Sequence, residues 1–291
     1  AGVNMADGFS RTTNGKTIGV FTMQTGPGAE NAFGGVAQAF ADSVPILLLP
    51  GGQPRGRMDV HPNFEANMHY RGITKWLGVI NLSSRIPEMM GMAFSQLKHG
   101  RPGPVMLELP RDVVSEEVPD DAFDYTPVQG YRSGAAPEDV RDLVAALLKA
   151  SAPVINAGQG VLYAEATDEL VELAELINVP VMTTLAGKSA FPENHRLALG
   201  TGASSGTLMV SEFLKNADFV FGAGTSFTLS NFNAPMPKGV TLAQCTNRPE
   251  DLNKDYRVSF GAVGDAKVVL RQMIEEVKSK VGEHGRGDVH G

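Results

Sequence analysis

The stretch Thr25-Gly26-Pro27-Gly28-Ala29-Glu30-Asn31 decides the fold of this chain. It follows the apolar run 17–23, which predicts a buried strand, and it precedes a helix of small residues predicted over 32–43. Glycines on both sides of Pro27 allow a sharp turn and keep the start of the helix free of side chains. Doubly wound sheets bind polar ligands at such a strand, turn and helix. Because Gly-Pro-Gly also occurs in ordinary turns, spacing alone leaves both interpretations open.

The first half of the chain continues the alternation of strands and helices that a parallel sheet requires. Strands are predicted over 45–49 and 105–109, and an amphipathic helix is predicted over 84–98. The polar segment 53–70 is longer than a plain connection, and loops of this length are usually functional or mobile. Glu108 lies inside the last of these strands, and we interpret it as a polar residue at a sheet end with no catalytic role.

The composition changes to Glu, Asp, Pro and Gly over 115–137, as in a linker. We therefore predict a first domain over 1–128, a second domain over 129–280 and a flexible tail over 281–291. The second domain again alternates strands with helices around glycine turns. The predicted fold class is α/β, with two doubly wound, mostly parallel-sheet domains, of which the second is Rossmann-like.

Composition narrows the class of protein. The 291 residues contain 25 Lys and Arg against 32 Asp and Glu, and the net charge of −7 argues against a nucleic-acid surface. The sequence contains no run of 18 apolar residues, so it predicts no membrane-spanning helix. Cys245 is the single cysteine, which excludes an internal disulfide and a multi-cysteine metal site and is typical of a cytoplasmic protein.

Three segments around the turn carry a family resemblance. Ala6-Asp7-Gly8-Phe9-Ser10-Arg11, the stretch 41–49 and the stretch 100–113 resemble the pyrimidine-binding domain of thiamine diphosphate enzymes. The nearest group is that of acetolactate synthases and 2-oxo acid decarboxylases. The second half resembles the central domain of the same enzymes, including Gly264-Asp265-Ala266-Lys267, so the resemblance covers roughly residues 1 to 278.

The resemblance implies a set of site residues. The residues implied near the aminopyrimidine ring of the cofactor are Thr25, Gly26, Pro27, Gly28 and Asn31. Gln53 and Phe64 are implied near the substrate. Turn geometry alone remains an alternative for the glycines, and a core aromatic remains an alternative for Phe64. The resemblance places no metal ligand and no catalytic residue within the chain.

The family's chemistry uses thiamine diphosphate and Mg²⁺. In this alignment the activating Glu lies about two residues before Ala1, and the Gly-Asp-Gly and Asn that hold the diphosphate and Mg²⁺ have no counterpart in 1–291. The expectation is a truncated fragment, inactive alone, of an enzyme acting on a 2-oxo acid such as pyruvate through a thiamine-bound enamine. The sequence does not distinguish carboligation from decarboxylation. The family also implies a homo-oligomer.

The central domain holds FAD in some members of the family and ADP in others. Here Gly224-Thr225-Ser226-Phe227 stands where the flavin pattern has Gly-Val-Arg-Phe, and Thr246-Asn247-Arg248-Pro249 replaces Asp-Ile-Asp-Pro. Both departures argue against FAD. In the second, Arg248 stands in place of a carboxylate, which accepts two hydroxyl bonds, whereas a guanidinium accepts none. A purely structural central domain is one alternative. A non-catalytic module that binds ADP-like nucleotides or another subunit is the other.

Overall fold

The computed structural model describes residues 1–119, 124–203 and 206–285. The chain divides into two compact units, Ala1–Tyr131 and Arg132–Gly291, called unit 1 and unit 2 below. Each unit contains a parallel sheet within its described residues, with helices between the strands. This architecture confirms the predicted α/β class. The predicted domain boundary near residue 128 stays a prediction.

Unit 1 is built on a sheet with the strand order β1-β2-β4-β3, in which all neighbours are parallel. The strands are β1 (Gly19–Met23), β2 (Ile46–Gly52), β3 (Trp76–Val79) and β4 (Val105–Pro110). The helices are α1 (Gly2–Thr12), α2 (Pro27–Ala41), α3 (Ala66–His69), α4 (Ile86–Lys98) and α5 (Arg111–Val114).

The sheet of unit 1 is buried on both faces. Ile46 and Leu48 pack on one face together with Val36 of α2. Leu47 packs on the opposite face against Ala93 of α4. This alternation explains the nearly continuous apolar sequence of β2, since side chains of a strand point to opposite faces in turn.

Unit 2 has the strand order β10-β9-β8-β5-β6-β7, again with parallel neighbours. The strands are β5 (Pro153–Ala157), β6 (Val181–Thr183), β7 (Ala198–Thr201), β8 (Phe219–Ala223), β9 (Thr241–Thr246) and β10 (Phe260–Val263). The helices are α6 (Pro137–Lys149), α7 (Gln159–Tyr163), α8 (Thr167–Ile177), α9 (Leu208–Asn216) and α10 (Ala266–Val281). The strand order reverses between β5 and β8, and ligands of open α/β sheets bind at such a point.

Two helices differ from their predicted bounds. The helix predicted over 32–43 begins at Pro27, because a proline in the first turn needs no backbone N–H and already has a helical φ. The sequence also predicts a helix over 164–177, and the structure has α8 over Thr167–Ile177, so the predicted helix begins three residues early. Glu165 has a φ of 55° in the left-handed region, so the chain turns between α7 and α8.

Three predicted segments extend beyond the described residues. In the predicted linker, residues 120–123 lie outside them. The sequence also predicts a glycine-rich loop over 200–206, of which Ser204 and Ser205 lie outside the described residues. The predicted tail begins at Val281, which is still the last residue of α10, and its residues 286–291 lie outside the described part.

Two expectations from composition can be compared with the structure. Cys245 is fully buried in β9, and burial raises the pKa of its thiol to about 12, so we expect an unreactive side chain. Among the residues that the structure describes, none of the helices combines the length and the apolar character that a membrane crossing needs.

Candidate functional site

The glycine turn lies at the carboxyl end of β1. Gly26 has a φ of 69°, which favours glycine, and Pro27 occupies the first turn of α2. No side chain caps the start of this helix, as the sequence predicts. Asn31 is exposed and donates its Nδ2–H to the Pro27 carbonyl at 2.7 Å, so its amide is engaged within the helix.

The end of β2 packs closely against this turn. The Thr25 hydroxyl lies 3.5 Å from the Gly52 carbonyl, to which it can donate a hydrogen bond. A Cβ atom on Gly51 would lie 2.8 Å from Thr25 Oγ1, so only glycine fits at this distance without a shift. Gln53, which is half-buried, follows directly. The structure therefore brings the turn and the first residues after β2 to the same edge of the sheet.

The segment 53–70 returns to the turn at its last residue. Tyr70 is fully buried and donates its hydroxyl to the Ala29 carbonyl in the first turn of α2 at 2.6 Å. Its ring meets Phe33 edge to face, with 5.4 Å between centroids. Burial raises the pKa of Tyr70 to about 12, so the phenol keeps its proton near neutral pH. Tyr70 thus fixes the helix that carries the glycine turn.

An ionic cluster holds the start of the same segment. The Arg55 guanidinium donates Nε–H to Asp112 Oδ2 at 2.7 Å and also pairs with Glu116. A further bond runs from its Nη1 to the Asn81 carbonyl at 3.2 Å. The bond from Arg55 lowers the pKa of the Asp112 carboxyl, and the pKa of Glu116 is lowered mainly by hydrogen bonding from Ser83, with Arg55 acting in the same direction. The groups are exposed, so we regard the cluster as a locating contact with a small effect on stability.

Phe64 lies on this segment and is half-buried. Its ring stacks on His69 with 4.3 Å between centroids and 16° between planes. His69 Nδ1 is 2.7 Å from the Glu65 carbonyl oxygen. Phe64 also packs against the apolar cluster of unit 1, so its position is compatible with a core role and with a role beside a ligand. Within the described part, none of the hydrogen bonds or ring contacts joins it to Thr25 or Gln53.

Glu108, which we interpret from the sequence as a polar residue without a catalytic role, is buried in β4. Its side chain is 1% exposed, and both of its oxygens accept hydrogen bonds from Asn67. Burial raises the pKa of the Glu108 carboxyl, and the negative charge of Glu65 acts in the same direction. The available signal in the sequence was an acidic residue within an otherwise apolar strand.

Unit 2 contains a cleft at its switch point. The cleft is small, with a volume of about 10 Å³, close to the room that one water molecule needs, and its lining includes Asn156, Thr184 and Thr225. Asn156 is 4% exposed, and its Oδ1 accepts no hydrogen bond from the described residues. Gln244, fully buried nearby, donates Nε2–H to the Thr225 carbonyl at 3.0 Å and leaves its Oε1 without a partner in the described part. Asn156 Oδ1 is therefore the acceptor in the cleft lining that has no partner in the described part of the chain.

The glycine loop of unit 2 uses two of its backbone donors within the unit. Gly158 N–H donates to the Ala223 carbonyl at 2.8 Å, and Gly160 N–H donates to the Gly224 carbonyl at 2.9 Å. Both N–H groups are therefore engaged by backbone carbonyls of unit 2. Phe227, which is 5% exposed, also lies in the lining of the cleft.

The structure also shows which part of a thiamine site the chain can form. The turn at Gly26 and Gly28 presents backbone without side chains, which fits close approach of an aromatic ring. In the described residues, His, Cys, Asp and Glu side chains form no group of three that could hold a metal ion. The uncapped turn is compatible with the pyrimidine side of the cofactor.

Two family models match the chain in the same order as the units. The model described as "Thiamine pyrophosphate enzyme, N-terminal TPP binding domain" matches residues 1–75. The model described as "Thiamine pyrophosphate enzyme, central domain" matches residues 140–273. Together they match well over half of the chain, and the first match includes the glycine turn, Gln53 and Phe64.

Individual proteins show the same similarity. The acetolactate synthase large subunit of Buchnera aphidicola subsp. Acyrthosiphon pisum is 33% identical over 293 residues, covering 96% of this chain and 50% of that protein. The glyoxylate carboligase of Escherichia coli O157:H7 is 31% identical over 278 residues, covering 94% of this chain and 46% of that protein. The crystal structure of benzoylformate decarboxylase from Polynucleobacter necessarius shares the fold, with a TM-score of 0.78 at 23% identity over 94% of this chain and 52% of that chain.

The chain spans about half the length of the curated relatives it matches. The matches cover both units and agree with the resemblance carried by the segments around the glycine turn. The chain therefore belongs to the thiamine pyrophosphate enzyme family, of which it contains the N-terminal binding domain and the central domain.

Proposed function

We propose that unit 1 supplies the aminopyrimidine side of the cofactor site of a thiamine diphosphate-dependent enzyme that acts on 2-oxo acids such as pyruvate. The observation that carries this proposal is the uncapped start of α2 at the carboxyl end of β1, within the matched N-terminal binding domain. When bound, the cofactor supplies an electron sink for making or breaking a C–C bond beside a carbonyl. Both carboligation and decarboxylation fall within the proposal.

The chain's own residues act by positioning. Thr25, Gly26, Pro27 and Gly28 present backbone to the aminopyrimidine ring, and Asn31 supports them through its bond to the Pro27 carbonyl. Tyr70 keeps α2 in place through Ala29. We assign Gln53 and Phe64 to the substrate side, because both lie on the segment that returns to this edge of the sheet.

We further propose that residues 1–291 work as part of a larger catalytic assembly. The relatives are about twice as long as this chain, and the resemblance assigns the activating Glu, the diphosphate groups and Mg²⁺ binding to sequence without a counterpart here. The partner we propose is a further copy in a homo-oligomer. Exposed apolar side chains on α1 and α2 support self-association, namely Met5, Phe9, Phe33 and Phe40. A monodisperse monomer by light scattering would count against it.

Titration with 4-amino-5-hydroxymethyl-2-methylpyrimidine tests the site directly. We expect saturable NMR shifts of the backbone amides at Gly26, Gly28 and Gly52. In Gly28→Val the new side chain would meet Gln24 and cover the start of α2, so we expect about tenfold weaker binding. Gly34→Ala, where a Cβ meets open space, is the matched control and should bind as the wild type does. Unchanged binding by Gly28→Val would refute the assignment.

The same preparation should consume no pyruvate above a buffer blank when thiamine diphosphate and Mg²⁺ are added. The reason is that, by the resemblance, the Gly-Asp-Gly and Asn that hold the diphosphate and Mg²⁺ have no counterpart in 1–291. Pyruvate turnover by residues 1–291 alone would contradict the proposal that further sequence completes the site. It would leave the pyrimidine assignment itself in place.

A second candidate function is a module that binds an ADP-like nucleotide in unit 2. The unpartnered Oδ1 of Asn156 in the cleft favours it, since a purely structural cleft would gain nothing from a buried acceptor left unmatched. Saturable stabilisation by ADP of several °C at concentrations well above Kd would support this module. Asn156→Ala should then remove the shift. If neither ADP nor FAD changes the melting temperature, the first proposal stands ahead.

A further inference from the structure

Glu108 is a buried ionisable residue to which the proposed function gives no role. Its side chain is 1% exposed, and it belongs to β4, which pairs with β2 and β3. Asn67 N–H donates to Oε2 at 2.8 Å, and Asn67 Nδ2–H donates to Oε1 at 3.2 Å. Glu65, a second buried acid, faces it with like charge and accepts the Asp59 N–H at 2.9 Å.

Burying the carboxyl of Glu108 at this position costs free energy. Within the described part of the chain, its hydrogen bonds come from Asn67 and none of the ion pairs includes it. Burying a carboxylate without a cation costs more free energy than burying an apolar side chain of the same size. The bonds from Asn67 offset part of this cost, which indicates that holding Asn67 is what the carboxyl achieves.

The neighbouring strand is shaped around the same carboxyl. A Cβ atom on Gly52 would lie 2.6 Å from Glu108 Oε1, so β2 leaves room for the side chain by using glycine. The Gly52 carbonyl is also the group that the Thr25 hydroxyl faces at 3.5 Å. Glu108 therefore lies against Gly52, whose carbonyl faces Thr25 of the glycine turn, and it is also hydrogen-bonded to α3.

We propose that Glu108 is a positioning residue that fixes α3, and with it the ring stack of Phe64 on His69, over the carboxyl edge of the sheet. The assignment of that stack to the substrate side rests on the proposed function, whereas the role of Glu108 in holding α3 does not rest on it. Without the two bonds from Asn67, the segment would keep its contacts at Arg55 and Tyr70. It would lose the hydrogen bonds that join α3 to β4.

Hydrogen exchange by mass spectrometry on the full chain, without ligand, tests this inference. Glu108→Ala removes both acceptors, and we expect amide exchange over 66–70 to become about tenfold faster or more, with β1 and unit 2 unchanged. Glu108→Gln should restore slow exchange, because its amide oxygen can accept from Asn67 N–H while its NH₂ donates to a rotated Asn67 side chain. Glu169→Gln, which alters an equally buried acid of unit 2, is the matched control and should leave 66–70 unchanged.

Asn67→Ala covers the case in which Glu108→Ala unfolds unit 1 as a whole. Asn67 is only half-buried, so this variant leaves no large cavity. It should speed exchange over 66–70 severalfold, and the double variant should exchange no faster than Glu108→Ala. Wild-type exchange in Asn67→Ala, or a Glu108→Gln variant as fast as Glu108→Ala, would overturn the inference. If the wild type fails to bind the aminopyrimidine while the variants exchange as expected, the proposed function is contradicted and the role of Glu108 is not.

Discussion

Gly158→Ala is expected to destabilise unit 2 by about 3 kcal/mol or more, because the added Cβ would meet backbone instead of a movable side chain. The Cβ position lies 2.3 Å from the Gly224 carbonyl oxygen and 2.7 Å from Thr225 Cα. Gly158 itself has a φ of −99°, which alanine adopts freely, so the effect is one of space and not of backbone strain. Relief requires β5 and β8 to separate where Gly158 N–H bonds Ala223.

Urea unfolding can assign this loss to unit 2. The chain has one tryptophan, Trp76, and it lies in unit 1, whereas circular dichroism reports on both units. For Gly158→Ala we expect a circular dichroism midpoint lower by at least about 1 M, since urea m-values are about 1–3 kcal/mol/M. The fluorescence midpoint of Trp76 should stay in place. A wild-type midpoint in both signals would show that the sheet tolerates a methyl group at this position.

Gly19→Ala should have a comparable effect on unit 1. Its Cβ would lie 2.1 Å from the Ala6 carbonyl oxygen, so α1 would have to move away from the start of β1. That movement breaks the bond from Gly19 N–H to the fully buried Ser10 hydroxyl, now 2.7 Å long, and leaves a buried donor unsatisfied. We expect a loss of about 3 kcal/mol or more.

The readout for Gly19→Ala is the Trp76 fluorescence transition in urea, which should move to lower concentration. Gly34→Ala in α2 is the control within the same unit. At Gly34 a Cβ meets open space, and alanine in a helix interior is favoured over glycine by about 0.5–1 kcal/mol, so the midpoint should rise slightly. Equal midpoints for the two variants would contradict the close packing of α1 on β1.

The strands that sequence patterns missed share one property. β3, β7 and β10 are edge strands of their sheets, and most of their residues are only half-buried. An edge strand in a parallel sheet can be less apolar than a central one, and these three strands lack a continuous apolar run like the one that predicted β2. β1 is also an edge strand, and its apolar run over 17–23 predicted it, so edge position alone does not hide a strand.

Whether a site residue was predicted depends on how far its partners lie from it in the sequence. The glycine turn was predicted because strand, turn and helix are consecutive in the chain, and Gly26 has the positive φ that such a turn needs. Glu108 was assigned no role because its partner Asn67 is 41 residues away in sequence. Tyr70 and Ala29 are separated by the same distance.

By itself, the sequence determined the α/β class, the parallel sheets and the family, because periodicity, turn residues and the segments around the glycine turn are all local signals. Only the tertiary structure decided which side chains meet at the carboxyl edge of unit 1. The order β1-β2-β4-β3 places Gly52 beside Glu108 and leaves space between β2 and β4 for that carboxyl. Contacts of this kind depend on how distant strands pair, and no local pattern encodes that pairing.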